Sequence, residues 1–193
     1  MLFRSDASFA AFPGAPQYVA VAFMIFAGIP FVRFIQLVRG DARPIFRDMQ
    51  VRAYVVWSSY AVMLVVLYRI IEEGTFSEEL FRSSLFNVVS VFSGTGYGDG
   101  DVQSWGPFPF AVLFCVGTIG ACSGSTGCAI KVFRFQIMLR ALFGQIKRMY
   151  SPSRVVSVKF EGRTVTEEVM ASIMLLFTGF ILSFGVLAVL MGM

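Results

Sequence analysis

The sequence predicts an all-α integral membrane fold containing one short segment that enters the bilayer and turns back. Three observations lead there. Hydrophobic residues make up 56% of the chain and charged residues 15%, with a mean hydropathy of +0.73, which is too apolar for a soluble domain of this length. Stretches free of Asp, Glu, Lys and Arg run over 12–32, 53–68, 102–130 and 169–193, against the roughly 20 apolar residues that cross a hydrocarbon core about 30 Å thick. Between the second and third, the apolar segment 80–92 has the wrong length to cross and ends in a run of alternating glycines.

Charge assigns the sides. Arg33, Arg39, Arg43, Arg47 and Arg52 lie between the first two stretches, and eight lysines and arginines from Lys131 to Arg163 lie between the third and fourth. Both segments are expected in the cytoplasm, because Lys and Arg concentrate in cytoplasmic loops. The intervening segment carries Glu72, Glu73, Glu78, Glu79, Asp99 and Asp101 against Arg82, which fits the opposite face. The net charge of +4 is therefore a topology signal, and nucleic acid is not expected as a partner. The N-terminus lacks a basic n-region and a small-residue cleavage site, so targeting is expected to reside in the spans.

The first span is expected to descend, with Pro30 near its inner end, into a loop where Gly40 and Pro44 break any continuing helix. The second ascends over 52–71. Trp105 is placed as an interfacial anchor for the third. That third stretch is expected to break in its middle, where Gly117, Gly120, Gly124 and Gly127 interleave with Ala121, Cys122, Ser123, Ser125 and Thr126. An amphipathic basic helix resumes over 131–150 and is stopped by Ser151-Pro152-Ser153. A short hairpin over 155–163 turns at Glu161-Gly162, and Thr166 is positioned to cap the last helix, with Glu167 and Glu168 in its first turn.

The residues with functional content are two glycine-rich strings. In Ser93-Gly94-Thr95-Gly96-Tyr97-Gly98-Asp99, alternate glycines permit positive φ, and irregular backbone at membrane depth is tolerated only when buried in protein or lining a water-filled path. Consecutive carbonyls of Ser93, Gly94, Thr95, Gly96 and Tyr97 are then positioned to replace the hydration shell of a cation. Asp99 would add negative charge at the outer mouth; the flanking glutamates either do the same or simply solvate the loop. The spacing fits neither GxGxxG nor GxxxxGK[ST]. The second string, residues 120–128, exceeds what close helix packing needs and is read as an obstruction in the path. Cys115, Cys122 and Cys128 have no CxxC spacing and the chain has no histidine, so a zinc site, a disulfide framework and a Ser–His dyad find no support, and no covalent chemistry is expected.

These strings resemble the Trk/Ktr/HKT superfamily of potassium transporters, most closely its bacterial TrkH/TrkG branch of pore-forming subunits. The resemblance rests on Phe86-Asn87-Val88-Val89-Ser90 running into Thr95-Gly96-Tyr97, and on the string Gly120-Ala121-Cys122-Ser123-Gly124-Ser125-Thr126-Gly127-Cys128 continuing through Lys131 to Arg134. It implies M1–P–M2 repeats around one pore. Residues 1–51 then hold the tail of a second filter, the second-repeat M2 helix (18–37) and a cytoplasmic loop. Residues 52–150 hold the third repeat, with its filter at 93–98 and an intramembrane gating loop at 120–128 in a broken M2. Residues 151–193 hold a cytoplasmic hairpin and the fourth-repeat M1. The start, Phe3-Arg4-Ser5-Asp6-Ala7-Ser8, is similar to the end of a filter whose glycine half is absent, so further repeats are expected outside this sequence. Gly98 stands where the family usually has a small hydroxylated residue, and Cys128 where it usually has glycine.

What the resemblance implies is a bacterial inner-membrane, multi-pass potassium uptake pore working as a homodimer with a cytosolic RCK-type nucleotide-binding regulatory subunit, without a cofactor and with K+ as the transported ion. The basic segments 39–52 and 140–163 are either its docking surface or ordinary positive-inside charge. Lys131 would fix the inner end of the loop by pairing, or oppose a cation by its own charge. Two other readings remain at this level: a homotetrameric channel of the 52–150 unit, and a non-conducting membrane assembly fragment.

Overall fold

The computed structural model describes residues 8–150, 159–160 and 163–192. Helix α1 (Ala15–Ala27) and helix α2 (Phe31–Val38) meet at an angle of 99°. The stretch 12–32, expected as one descending span, is therefore two helices with an elbow at 28–30. Pro30 has no N–H to donate and its ring clashes with the carbonyl a turn earlier, so a straight helix cannot pass through it. At 1.5 Å per residue, the 13 residues of α1 reach about 20 Å, short of a bilayer core.

Pro44 also behaves differently from expectation. It sits in the first turn of helix α3 (Arg43–Arg47), where a missing N–H costs nothing, and so starts a helix instead of breaking one. Gly40, at φ 92, does turn the chain. Helix α4 (Met49–Glu73) starts at Asp48, whose carboxylate accepts from the Gln50 and Val51 N–H groups, and it stops at Gly74 in the left-handed region.

Helix α5 (Glu78–Ser93) is capped by Ser77, which accepts from the Leu80 N–H at 3.1 Å, with Glu78 and Glu79 in the first turn favoured by the helix dipole. It lies against α1, α4 and helix α6 (Pro107–Thr118), so residues around most of its circumference are buried, among them Leu80, Ser84, Phe86, Val88, Ser90 and Phe92. A helix buried on all sides reads as apolar without a strong stripe, which is why its sequence looked like a short membrane segment. After α6 the helix is interrupted, as expected. Strand β1 (Ile119–Gly120) pairs in parallel with strand β2 (Ile130–Lys131), and helix α7 (Val132–Tyr150) follows.

The chain forms two compact units, Met1–Val132 and Phe133–Met193. In the first, Val65, Val88, Phe92, Tyr54 and Cys122 share one buried cluster, and Val21, Met24, Phe86 and Val89 share a second. In the second unit, Phe135 meets Phe177 edge to face at 4.9 Å, and strand β3 (Lys159–Phe160) pairs antiparallel with strand β4 (Arg163–Thr164). Helix α8 (Glu167–Met191) leaves nearly all of its apolar surface exposed; Ile173 is its buried residue. With α4, it is one of two described helices long and apolar enough to cross a membrane, or three spans if α1 and α2 count as one. Thr166 occupies the N-cap position of α8 but its side chain makes no capping hydrogen bond, which leaves Glu167 and Glu168 as the favourable groups there. The expected helix stop at 151–153, and residues 155–158 and 161–162 of the expected hairpin, lie outside the described residues.

Candidate functional site

The glycine-rich string begins as the C-cap of α5. Gly94 takes φ 78 and its N–H reaches the Val91 carbonyl at 3.1 Å, while the Ser90 carbonyl receives the N–H groups of Thr95 at 3.0 Å and Gly96 at 3.3 Å. The Ser93 and Thr95 hydroxyls hydrogen-bond each other at 2.7 Å, and Ser93 also donates to the Ser90 carbonyl. Both small side chains are thus folded back onto the helix end. Ser93, expected as the first residue of the extended string, is the last residue of α5; the irregular strand is 95–99. The cause is local: Gly94 is the first position that takes left-handed backbone without penalty, so the helix runs up to it.

The outer end of the strand is fixed by Asn87, which sequence reasoning quoted in the string at 86–90 but gave no role. Its Nδ2 donates to the Ser83 and Asp99 carbonyls, both at 2.9 Å, and its Oδ1 accepts from the Asp99 N–H at 3.1 Å. The signal was available: an asparagine between Phe86 and Val88 in an apolar helix must find partners if buried, and Asn87 is buried. Replacement by the similarly sized leucine (Asn87→Leu) strands two backbone groups of Asp99. In a conducting pore it is expected to shift the potassium-to-sodium flux ratio about fivefold, the effect of about one net hydrogen bond, measured with the two ions in paired flux assays.

Neighbouring segments brace the same end. The Phe9 N–H donates to the Gly98 carbonyl at 3.1 Å, the Gly98 N–H donates to Ser8 Oγ at 3.2 Å, and the Phe9 ring lies 5.2 Å from Phe86 and 5.3 Å from Tyr97. Residues 3–7 of the expected filter tail lie outside the described residues. Asp99 is half-buried, its backbone held as above. Of the glutamates, Glu73 pairs with Arg69 at 2.8 Å and Glu78 with Arg82 at 3.0 Å, so their charge is compensated locally. Arg69 also covers the Trp105 ring at 4.3 Å and reaches Ser84 Oγ at 3.2 Å, clamping the proposed anchor residue to the start of α5.

The second string folds beneath the first. Ala121, Cys122 and Gly127 are buried, Ser125 is half-buried, and Ser123, Gly124, Thr126 and Cys128 are exposed. Ser125 Oγ donates to the Cys122 carbonyl at 2.7 Å, closing a tight turn in which Gly124 takes φ 74. Lys131 Nζ donates to the carbonyls of Ser125, at 3.4 Å, and Gly127, which sets its ammonium against the backbone of the loop. The two strings touch where each has glycine. A Cβ on Gly127 would lie 3.0 Å from the Ser93 carbonyl oxygen and 2.5 Å from Ala121 Cβ, and one on Gly94 would lie 3.0 Å from the Cys128 nitrogen. The inner end of the candidate filter strand therefore rests on residues 127 and 128.

The other side of the loop faces the elbow between α1 and α2. The Cys122 N–H donates to the Gly28 carbonyl at 3.2 Å, the Phe31 N–H to the Gly124 carbonyl at 3.0 Å, and Thr126 Oγ1 to the Ala27 carbonyl at 3.1 Å. Gln50 Oε1 accepts from the Ser123 N–H at 3.0 Å. No local sequence signal marks these contacts, because they join residues 73 to 99 positions apart.

Two helices of spanning length, a short buried helix and a glycine-rich strand seated on a loop that interrupts the next helix define a helical membrane protein. The chain belongs to the TrkH family, described as cation transport protein, whose family model matches residues 4–191. It is 31% identical over 168 residues to the Trk system potassium uptake protein TrkI of Halomonas elongata, covering 86% of this chain and 34% of that protein. It is 28% identical over 159 residues to the Trk system potassium uptake protein TrkG of Escherichia coli, covering 81% of this chain and 33% of that one. The fold is similar to the crystal structure of the potassium transporter TrkH from Vibrio parahaemolyticus, with a TM-score of 0.87, 24% identity, and coverage of 94% of this chain and 40% of that one. The chain thus spans roughly a third of the length of the curated relatives it matches.

Proposed function

We propose that this chain is a pore-forming portion of a potassium uptake transporter or channel, contributing one filter strand and the gate beneath it. The observation that carries the reading is the seating of Ser93 and Gly94 on Gly127 and Cys128; in this reading an ion leaving the strand meets the loop at once. Carbonyls of residues 93–97 supply the oxygen ligands, with Ser93 doing so from the helix end, and Asp99 supplies charge at the outer mouth. Residues 120–128 with Lys131 form the gate, the lysine holding the loop across the path through the Ser125 and Gly127 carbonyls.

In this reading residues 1–51 end the second M1–P–M2 repeat, 52–150 form the third (α4 as M1, α5 as pore helix, α6 and α7 as broken M2), and 151–193 open the fourth with α8 as its M1. Potassium as the cargo follows from the names of the relatives. The setting is a bacterial inner membrane, with the remaining repeats, a second copy in a homodimer, and an RCK-type cytosolic nucleotide-binding subunit as partners. The exposed apolar surface of α8 supports neighbours in the membrane, whether lipid or further repeats.

The test is potassium uptake in cells lacking their own uptake systems, comparing this chain alone with the chain joined to the flanking repeats of a full-length relative. Rescue by the joined form only is the expected result. Rescue by the short chain alone would replace this reading with a homotetrameric channel, and rescue by neither would leave a non-conducting assembly fragment.

A further inference from the structure

We infer that Gln50 is a positioning residue for the gate, the last link of a latch that ties the loop at 120–128 to the basic segment between α1 and α4. The inference rests on the reading of that loop as a gate. The links are continuous. Arg33, in the first turn of α2, meets the Asp48 carboxylate through Nη2 at 2.7 Å and Nε at 2.8 Å. Asp48, whose side chain is 2% exposed, accepts from the Gln50 backbone N–H at 2.8 Å, and the Gln50 side chain accepts from the Ser123 N–H at 3.0 Å.

A buried carboxylate is costly unless paired and hydrogen-bonded, so Asp48 makes Arg33 and the start of α4 move as one piece. The elbow ahead of α2 cannot absorb displacement on its own. A Cβ on Gly28 would sit 2.5 Å from Cζ of Tyr54, and the Tyr54 ring stacks at 5.0 Å on Phe92 of α5. The elbow is therefore wedged against the same helix that carries the glycine strand. A pull on the basic segment reaches the gate through the two groups that leave this wedge, the Phe31 N–H on the Gly124 carbonyl and Gln50 on Ser123. Releasing Gln50 loosens the loop at Ser123, leaving the Phe31–Gly124 bond and the Ser93–Gly127 seat in place.

Cys122 reports the state of the loop, because it is fully buried beside Ser123. In the joined pore, with cysteine-free flanking repeats, Cys115→Ser and Cys128→Ser, its modification rate by a small thiosulfonate is measured in proteoliposomes together with potassium flux. Gln50→Met is expected to raise the modification rate and the flux about fivefold, the population change that follows loss of one net hydrogen bond. Gln50→Glu, which retains an acceptor oxygen, is expected to keep the parent rate, and Arg33→Gln, two links further out, to shift it in the same direction as Gln50→Met. Equal Cys122 rates in the parent and Gln50→Met overturn the latch, as does Gln50→Glu reacting as fast as Gln50→Met. The thiol rate reads the latch whether or not the parent carries potassium, so failure of the conduction reading shows separately as absence of parent flux.

Discussion

Gly96→Ser is expected to degrade the potassium-to-sodium preference of the joined pore about tenfold, while Gly98→Ser leaves it within about twofold. The difference lies in the backbone and not in space. A Cβ at either position meets nothing within 4 Å, but Gly96 has φ 77 and Gly98 has no positive φ. Left-handed backbone costs an L-residue about 1–2 kcal/mol, and a tenfold change in an equilibrium is about 1.4 kcal/mol. A serine at 96 relaxes that strain by rotating the peptide, which re-aims the neighbouring carbonyls. At 98 the backbone is pinned by Phe9 and Ser8 through main-chain groups that a side chain leaves untouched. Reversal potentials or paired potassium and sodium uptake measure both. Equal effects at the two positions would show that the strand does not set selectivity through its backbone.

Gly120→Ala is expected to destabilise the solubilised chain by about 1–3 kcal/mol, whereas Gly179→Ala is neutral or stabilises it by up to about 1 kcal/mol. The substitution is the same and the surroundings differ. A Cβ on Gly120 would strike the Cys128 carbonyl and lie 3.1 Å from the Ala129 carbonyl carbon, which is backbone and cannot rotate aside. Gly120 pairs with Lys131 in the two-residue parallel ladder, so the displacement also loosens the attachment that brings the loop back to α7. Gly179, inside α8, has nothing within 4 Å of its Cβ position, and alanine there lowers the entropy cost of forming helix. Thermal unfolding of the two variants in one detergent compares them. A Gly120→Ala chain that melts with the parent would mean that the two strands are not held this closely.

Gly96, Gly98 and Gly120 were conspicuous in the sequence, yet the reasons they matter differ in kind. Alternation at 94, 96 and 98 was legible as a strand needing unusual backbone, which 94 and 96 take and 98 does not, and the small-residue run at 120–128 as a broken helix, since each is a local property of chain geometry. The caps at Ser77 and Asp48 and the stop at Gly74 were not read from the sequence although they are local in the same sense: each cap and the N–H groups it satisfies lie within a few residues. The elbow at 28–30 was missed because an unbroken apolar run outweighed a single proline in the reading, although the proline decides the backbone.

What the sequence by itself determined is therefore the class of protein and the two glycine strings, because hydropathy and conformational freedom are properties of residues and their near neighbours. Tertiary structure alone decided which surfaces meet. The seat of Ser93 on Gly127, the grip of Asn87 on Asp99, and the path from Arg33 through Asp48 and Gln50 to Ser123 depend on how the helices pack. Contact between residues far apart in the chain is set by the packing of intervening elements, which no window of sequence contains.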